Sequence, residues 1–179
     1  QRQMCIRDRQ YALQAFFDHP RDVAKTGLTP GLAGKRIIVQ GLGNVGYHAA
    51  LFLSTNDGAL ISHVLERDGA VINEAGIDIP ALRAHIVETG SVKGYPGFVE
   101  GGMEHLEAEA DILIPAAMEL VITDTNAARI KAPLIIEAAN GPVSAEADNI
   151  LRESGTVIIP DLYALSLIHI SEPTRPRLI

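Results

Sequence analysis

The feature that most constrains the fold is a glycine-spaced turn between an apolar run and a helical apolar pattern. Three of the four residues in Ile37–Gln40 are β-branched, and Gly41, Gly43 and Gly46 follow with the spacing G-x-G-x-x-G. Apolar residues then recur with a helical period over residues 45–53. This succession predicts a buried strand, a tight turn and a helix.

Each glycine has its own physical role in such a turn. Gly41 allows a sharp change of direction, Gly43 lets a pyrophosphate approach the backbone, and Gly46 lets the helix pack close to the strand. The first N–H groups of a helix have no partner within it, and the helix dipole favours an anion there. The turn therefore predicts a dinucleotide site, although glycine-rich turns end many buried strands and the pattern alone is a weak signal.

A carboxylate after the next apolar run strengthens this prediction. Leu60–Leu65 predicts a second strand, and Glu66 follows it, 20 residues after Gly46. Dinucleotide-binding folds place at this point the acid that binds the adenosine ribose 2′-OH. The neighbouring Arg67 could instead meet a 2′-phosphate, and an ordinary surface arginine is an equally good interpretation.

Short apolar runs alternate with helical segments along the whole chain. Strands are predicted at 37–40, 60–65, 111–114, 134–137 and 157–159, with a short extended piece at 71–76. Helices are predicted at 10–19, 45–54, 80–88, 104–109 and 144–154, with Asp78 and Ser144 as the N-caps of the third and the last. The alternation predicts an α/β fold, a Rossmann-like doubly wound and mostly parallel sheet. Ligands bind such sheets outside the carboxyl ends of the strands, where the strand order reverses.

The 179 residues suit one domain, and the two ends differ from the rest. Residues 1–9 have no amphipathic period, and residues 166–179 carry two prolines and end on an apolar pair. Both resemble peptides translated from sequencing-adapter DNA, so we expect non-native tails around a dinucleotide-binding domain at 10–165. Ordinary flexible termini are the alternative. The first residue is not Met, which suggests a fragment.

Composition excludes several classes of function. The net charge is −7 with no basic stripe, which argues against nucleic acid as a partner. No apolar run approaches the about 18 residues needed to cross a membrane. Cys5 is the single cysteine, so no internal disulfide forms and a reducing, cytoplasmic location is expected. The six histidines show no metal-ligand spacing, so no metal site is predicted.

Five motifs occur in a fixed order along residues 10–164. They are Gly41–Gly46, Glu66–Gly69, Ile112–Ala117, Glu137–Pro142 and Ile159–Ala164. In this order they resemble the nucleotide-binding domain of hexameric glutamate dehydrogenases, within the Glu/Leu/Phe/Val dehydrogenase family. Five motifs in register are far more specific than the glycines alone.

The resemblance implies positions for the cofactor. Asn44–Val45 would lie at the pyrophosphate and Glu66 at the adenosine ribose. Ala116–Ala117 would line the cofactor groove, with tight loop packing as the alternative for these alanines. Asn140 would contact the nicotinamide ribose region. The expected cofactor is NAD, with NADP possible.

The resemblance also implies a reaction for the parent enzyme. It would oxidatively deaminate L-glutamate to 2-oxoglutarate and ammonia, reversibly and as a homohexamer. The family's catalytic Lys and Asp lie in a domain that precedes this one, and no Gly-Gly-Ala-Lys-Gly-type loop occurs here. After Ala164 the family continues with Asn-Ala-Gly-Gly, whereas this chain does not. We therefore expect no catalytic residues in this chain and no activity from it alone.

Two other interpretations remain open at this point. Leucine and phenylalanine dehydrogenases resemble the chain at the glycine turn, but they usually have Asp after the second strand and lack the excursion at 73–97. A non-catalytic nucleotide-sensing module, such as those attached to transporters, has the same core pattern. A flanking catalytic domain would favour the enzyme.

Overall fold

The computed structural model describes residues 2–160, with side chains from residue 9 onward. The helices are α1 (Arg2–Phe17), α2 (Pro20–Thr26), α3 (Asn44–Thr55), α4 (Ile79–Thr89) and α5 (Ala145–Glu153). The strands are β1 (Arg36–Gln40), β2 (Leu60–Glu66), β3 (Gly69–Ile72), β4 (Phe98–Val99), β5 (Ile112–Pro115), β6 (Leu134–Ile136) and β7 (Val157–Ile159). Short 3-10 helices lie at Met103–Glu107 and Ala127–Arg129.

The described strands form one sheet in the order β4-β3-β2-β1-β5-β6-β7. The five strands predicted from the sequence are all present and all parallel to one another, which confirms the doubly wound α/β fold. Two further strands extend the sheet: β3 pairs antiparallel to β2, and β4 pairs antiparallel to β3. Because β3 spans four residues and β4 only two, the sequence pattern predicted only one extended piece at 71–76.

The sheet is central because its middle strands are apolar on both faces. Side chains of a strand point alternately to opposite faces. Ile37 and Val39 of β1 lie in one buried cluster, which also holds Leu13 of α1 and Leu53 of α3. Ile38, between them, lies in the second cluster, on the other face of the sheet. All three β1 side chains are fully buried, so β1 anchors both layers.

The predicted helix caps on α4 and α5 are confirmed. The side chain of Asp78 accepts a hydrogen bond from the N–H of Ala81 at 2.9 Å. Ser144 does the same for Ala147 at 3.1 Å. Such bonds satisfy N–H groups that the helix itself leaves without partners.

The N-terminal region differs from the prediction of one helix at 10–19. Helix α1 already begins at Arg2, and α2 follows it after a break at residues 18–19. Pro20 ends α1 but also fits the first turn of α2, where its missing N–H costs no hydrogen bond. Segment 1–9 is thus helical from residue 2 onward, while its non-native origin stays a prediction. Residues 166–179 lie outside the described residues.

Neither a membrane-spanning helix nor a metal-binding cluster occurs among the described residues. No helix within residues 2–160 combines the length and the apolar character needed to span a bilayer. The same residues contain no cluster of three or more His, Cys, Asp or Glu side chains able to hold a metal ion.

Candidate functional site

The strand order reverses beside β1. The chain passes from β1 to β2 and outward to β4, and it then returns to β5 on the other side of β1. A crevice opens at the carboxyl ends of strands at such a reversal, and it is where doubly wound sheets bind their ligands. The glycine turn follows β1, and Ala116–Ala117 follows β5, so both predicted segments border this crevice.

Two glycines of the turn are required by packing. Gly41 has a φ of 88°, and a Cβ at this position would lie 2.2 Å from the Cβ of Ala117. A Cβ on residue 46 would lie 1.8 Å from the carbonyl oxygen of Gly41. Any side chain at either position would displace the backbone of α3 or of the loop after β5. The sequence-based roles of Gly41 as a turn and of Gly46 as a close contact both fit this geometry.

Gly43 differs from the other two because the chain does not need a glycine there. Apart from Gly43 itself and its two chain neighbours, no described residue has an atom within 4 Å of the position of a Cβ on Gly43, and the residue is exposed. Gly43 is the N-cap of α3, and its carbonyl oxygen accepts a hydrogen bond from the backbone N–H of Tyr47 at 2.9 Å. The N–H groups of Asn44–Val45 belong to the first turn, which has no helical acceptors for them. Open space beside these donors fits a pyrophosphate.

The Glu66 side chain reaches back to the glycine turn. Its Oε1 accepts a hydrogen bond from the backbone N–H of Leu42 at 2.5 Å. The residue is half-buried at the end of β2. A carboxylate offers about four lone-pair positions, so it can hold Leu42 and still accept bonds from ribose hydroxyls. The structure therefore brings Glu66 to the turn, as the spacing predicts, while Arg67 is exposed in the turn after β2.

Asp68, in the Glu66–Gly69 motif, has a structural role that sequence analysis did not assign. Its carboxylate accepts hydrogen bonds from the Ser91 hydroxyl and, at 3.3 Å, from the Val92 N–H. The bond from Ser91 is the main reason that the pKa of Asp68 is lowered. Asp68 thereby ties the excursion after β3 to the β2–β3 turn.

Gln40 is a site residue that the sequence analysis missed. Its side chain is buried, and its Oε1 accepts a hydrogen bond from the Ala117 N–H at 3.2 Å. Its backbone oxygen accepts from the Ala116 N–H at 2.8 Å. Gln40 therefore joins the end of β1 to the two alanines beside the crevice. A polar residue directly before the first glycine of an otherwise apolar strand was the available signal.

The loops after β5 and β6 are joined to each other. The Ala138 N–H bonds to the Pro115 oxygen at 3.0 Å, and the Leu120 N–H bonds to the Gly141 oxygen at 3.0 Å. Asn140 is exposed on this joined pair of loops. The structure thus places Asn140 on the same edge as Ala116–Ala117, at the side of the crevice away from Glu66.

Comparisons with known proteins agree with this architecture. The profile of the family described as Glutamate/Leucine/Phenylalanine/Valine dehydrogenase matches residues 19–166. A probable glutamate dehydrogenase of Sinorhizobium fredii is 48% identical over 162 residues, covering 86% of this chain and 35% of that protein. An NADP-specific glutamate dehydrogenase of Saccharolobus shibatae is 47% identical over 135 residues, covering 75% of this chain and 32% of that protein.

A solved structure shows the same relationship. The hetero-hexameric glutamate dehydrogenase of Thermus thermophilus, in a leucine-bound form, matches with a TM-score of 0.73 and 28% identity. The match covers 88% of this chain and 36% of that one. The chain spans about a third of the length of the curated relatives it matches. With the profile match over most of its length, the chain belongs to the Glutamate/Leucine/Phenylalanine/Valine dehydrogenase family.

Proposed function

We propose that this chain is the NAD(P)-binding domain of a glutamate dehydrogenase. The observation that carries the proposal is the pairing of an open Gly43 with the Glu66 carboxylate at the reversal point of the sheet. The first offers room and N–H donors for a pyrophosphate, and the second offers acceptors for a ribose. Gly43 lies in the turn after β1, and Glu66, at the end of β2, is hydrogen-bonded to Leu42 of the same turn, so the two proposed subsites are neighbours.

Each residue at the crevice would contact a different part of the cofactor. The N–H groups of Asn44–Val45 would bind the pyrophosphate, and Glu66 would bind the hydroxyls of the adenosine ribose. Ala116–Ala117 would line the groove, where small side chains leave room for a flat group, and Asn140 would contact the nicotinamide ribose. When bound, the nicotinamide supplies the hydride acceptor. This chain's own residues hold and orient that group, and none of them is proposed as catalytic.

NAD is the proposed preferred cofactor. The Glu66 carboxylate would accept hydrogen bonds from a ribose 2′-OH and would repel a 2′-phosphate. Arg67 is exposed one residue further on and offers the only opposing charge at this point of the motif. One relative is named NADP-specific, so the proposal rests on Glu66 and not on family membership.

For the whole protein we propose reversible oxidative deamination of L-glutamate to 2-oxoglutarate and ammonia by a homohexamer in the cytoplasm. The relatives described above are named glutamate dehydrogenases, which favours this substrate over leucine or phenylalanine. A related solved structure is a hetero-hexamer, which supports a six-subunit assembly. Family membership favours the enzyme over a nucleotide-sensing module.

Calorimetric titration of the 179-residue chain tests the binding role. We expect NAD and ADP-ribose to bind weakly, with dissociation constants on the order of 0.1–1 mM. Ribose 5-phosphate, which lacks both pyrophosphate and adenine, is the control and should not bind. An absence of binding by NAD and ADP-ribose would contradict the proposal. A steady-state assay with glutamate and NAD should show no turnover, and turnover would mean that the chain contains catalytic groups.

A further inference from the structure

Leu42 connects the glycine turn to two other parts of the chain. Leu42 is the only residue between Gly41 and Gly43, and its side chain is buried. Its N–H donates to Glu66. Its carbonyl oxygen accepts a hydrogen bond from Nη1 of Arg83 at 2.9 Å. Side chain, N–H and C=O of Leu42 therefore all have partners outside the turn.

Arg83 comes from a different part of the chain than the other turn residues. It lies on α4, 41 residues after Leu42, and is half-buried. Its guanidinium carbon lies 5.6 Å from the centre of the Tyr47 ring on α3. A cation over an aromatic face is stabilised by the ring quadrupole. Two contacts thus fix the guanidinium between α3 and the turn.

Helix α4 is itself a well-anchored base for this contact. Asp78 caps its N-terminus, and it ends at Gly90 in the left-handed conformation with a φ of 76°. The side chains of Ile79 and Leu82, on either side of the first turn, are fully buried. Arg83 therefore projects from a helix with a capped N-terminus and a buried first turn, and its bond to Leu42 links that helix to the glycine turn.

Holding the Leu42 carbonyl also fixes the direction of the next N–H. The peptide group is planar and trans, so the N–H of Gly43 points away from the Leu42 C=O. A cationic donor on the carbonyl oxygen polarises the amide and strengthens its N–H as a donor. Gly43, which carries this N–H, also has open space at the position of a Cβ.

We infer that Arg83 is a positioning residue for anion binding at the glycine turn. It orients and polarises the Leu42–Gly43 peptide so that the Gly43 N–H is ready for a pyrophosphate. The inference deepens the proposed function and rests on it. Three glycines within six residues make the turn costly to order, and a preformed turn binds its ligand without that cost.

The test compares variants of the 179-residue chain. Arg83→Met keeps an unbranched side chain but removes the charge, the hydrogen bond to Leu42 and the contact of the guanidinium with Tyr47, whereas Arg83→Lys keeps the charge. Arg152→Met is the matched control, because it removes an exposed arginine–aspartate pair on α5. ADP-ribose affinity is measured by calorimetry, and the Gly43 amide is followed by NMR in the ligand-free chain.

We expect Arg83→Met to weaken ADP-ribose binding about tenfold, the effect of losing a charge-assisted hydrogen bond. The Gly43 amide proton should shift upfield and exchange faster, Arg83→Lys should recover part of both effects, and Arg152→Met should change neither. An unchanged Gly43 amide in a folded Arg83→Met chain would overturn the inference. If the unsubstituted chain binds no ADP-ribose, the proposed function fails, while the Gly43 amide still tests whether Arg83 positions the turn.

Discussion

The Glu66 carboxylate accepts a hydrogen bond from the backbone N–H of Leu42, with 2.5 Å between Oε1 and the nitrogen. The bond links the carboxyl end of β2 to the turn after β1. It holds the carboxylate beside the turn, where the proposed site has the adenosine ribose.

The first prediction concerns the preference between NAD and NADP. Glu66→Gln keeps an acceptor for Leu42 but removes the charge, and Glu66→Ser removes both. In the full-length parent, each should narrow the preference for NAD by about tenfold, since a unit charge beside a phosphate is worth roughly 1–4 kcal/mol near a protein surface. Dissociation constants for both cofactors give the preference. Tighter binding of NADP than of NAD by the unsubstituted protein would contradict the assignment of Glu66.

The second prediction contrasts two glycines of the same turn. Gly46→Ala should destabilise the fold by about 3 kcal/mol or more, because its Cβ would overlap the Gly41 oxygen. Gly43→Ala should change the melting temperature little, since its Cβ would meet no described atom of the chain. It should nevertheless weaken ADP-ribose binding, because the methyl group fills the space proposed for the pyrophosphate. Thermal denaturation and calorimetry separate the two effects, and unchanged binding by a folded Gly43→Ala chain would count against the pyrophosphate site.

The third prediction concerns backbone strain at Leu120. Its φ of 51° is the only positive value at a described residue other than glycine, and its side chain is 61% exposed. A left-handed conformation costs about 1–2 kcal/mol for a residue with a Cβ. Leu120→Gly should raise the free energy of unfolding by about 0.5–1 kcal/mol after the entropy cost of glycine. Urea denaturation measures the change, and Glu119→Gly, where φ is not positive, should instead lower stability.

The fourth prediction concerns acid sensitivity through His63. Burial in β2 is the largest cause lowering its pKa; Glu74 opposes this, while His105 and Arg36 add to it. The His63 and His105 rings lie 6.2 Å apart. Because the pKa of His63 is lowered in the folded state, His63 is protonated at a higher pH in the unfolded chain than in the folded one. His63 should therefore destabilise the fold as the pH falls below about 6.5, and have no such effect above it.

Unfolding free energies at pH 7.5 and 5.5 test this prediction. His63→Gln should lose less stability on acidification than the unsubstituted chain. His19→Gln, at an exposed histidine, serves as the control and should follow the unsubstituted chain. Equal acid sensitivity in all three proteins would contradict the role of His63.

The sequence by itself predicted the central strands and the glycine turn between β1 and α3. Local patterns were enough because the apolar run of β1 predicts a buried strand and the spacing of the glycines after it predicts a tight turn at the same place. Asp78 and Ser144 were predictable as caps for the same reason, since a cap acts within its own helical turn. The family motifs added the roles assigned to Asn44–Val45 and Asn140, which stay predictions.

Only the tertiary structure decided how distant segments meet. β3 and β4 are too short to leave a periodic signal, and pairing with β2 makes them strands. The contact of Arg83 with Leu42 joins residues 41 positions apart, and that of Gln40 with Ala117 joins residues 77 apart. Helix periodicity and turn chemistry act over a few residues, whereas these contacts depend on the sheet bringing its strand ends to one edge. The glycine turn could therefore be predicted from the sequence, whereas the contacts of Arg83 and Gln40 with the segments beside it could be identified only from the tertiary structure.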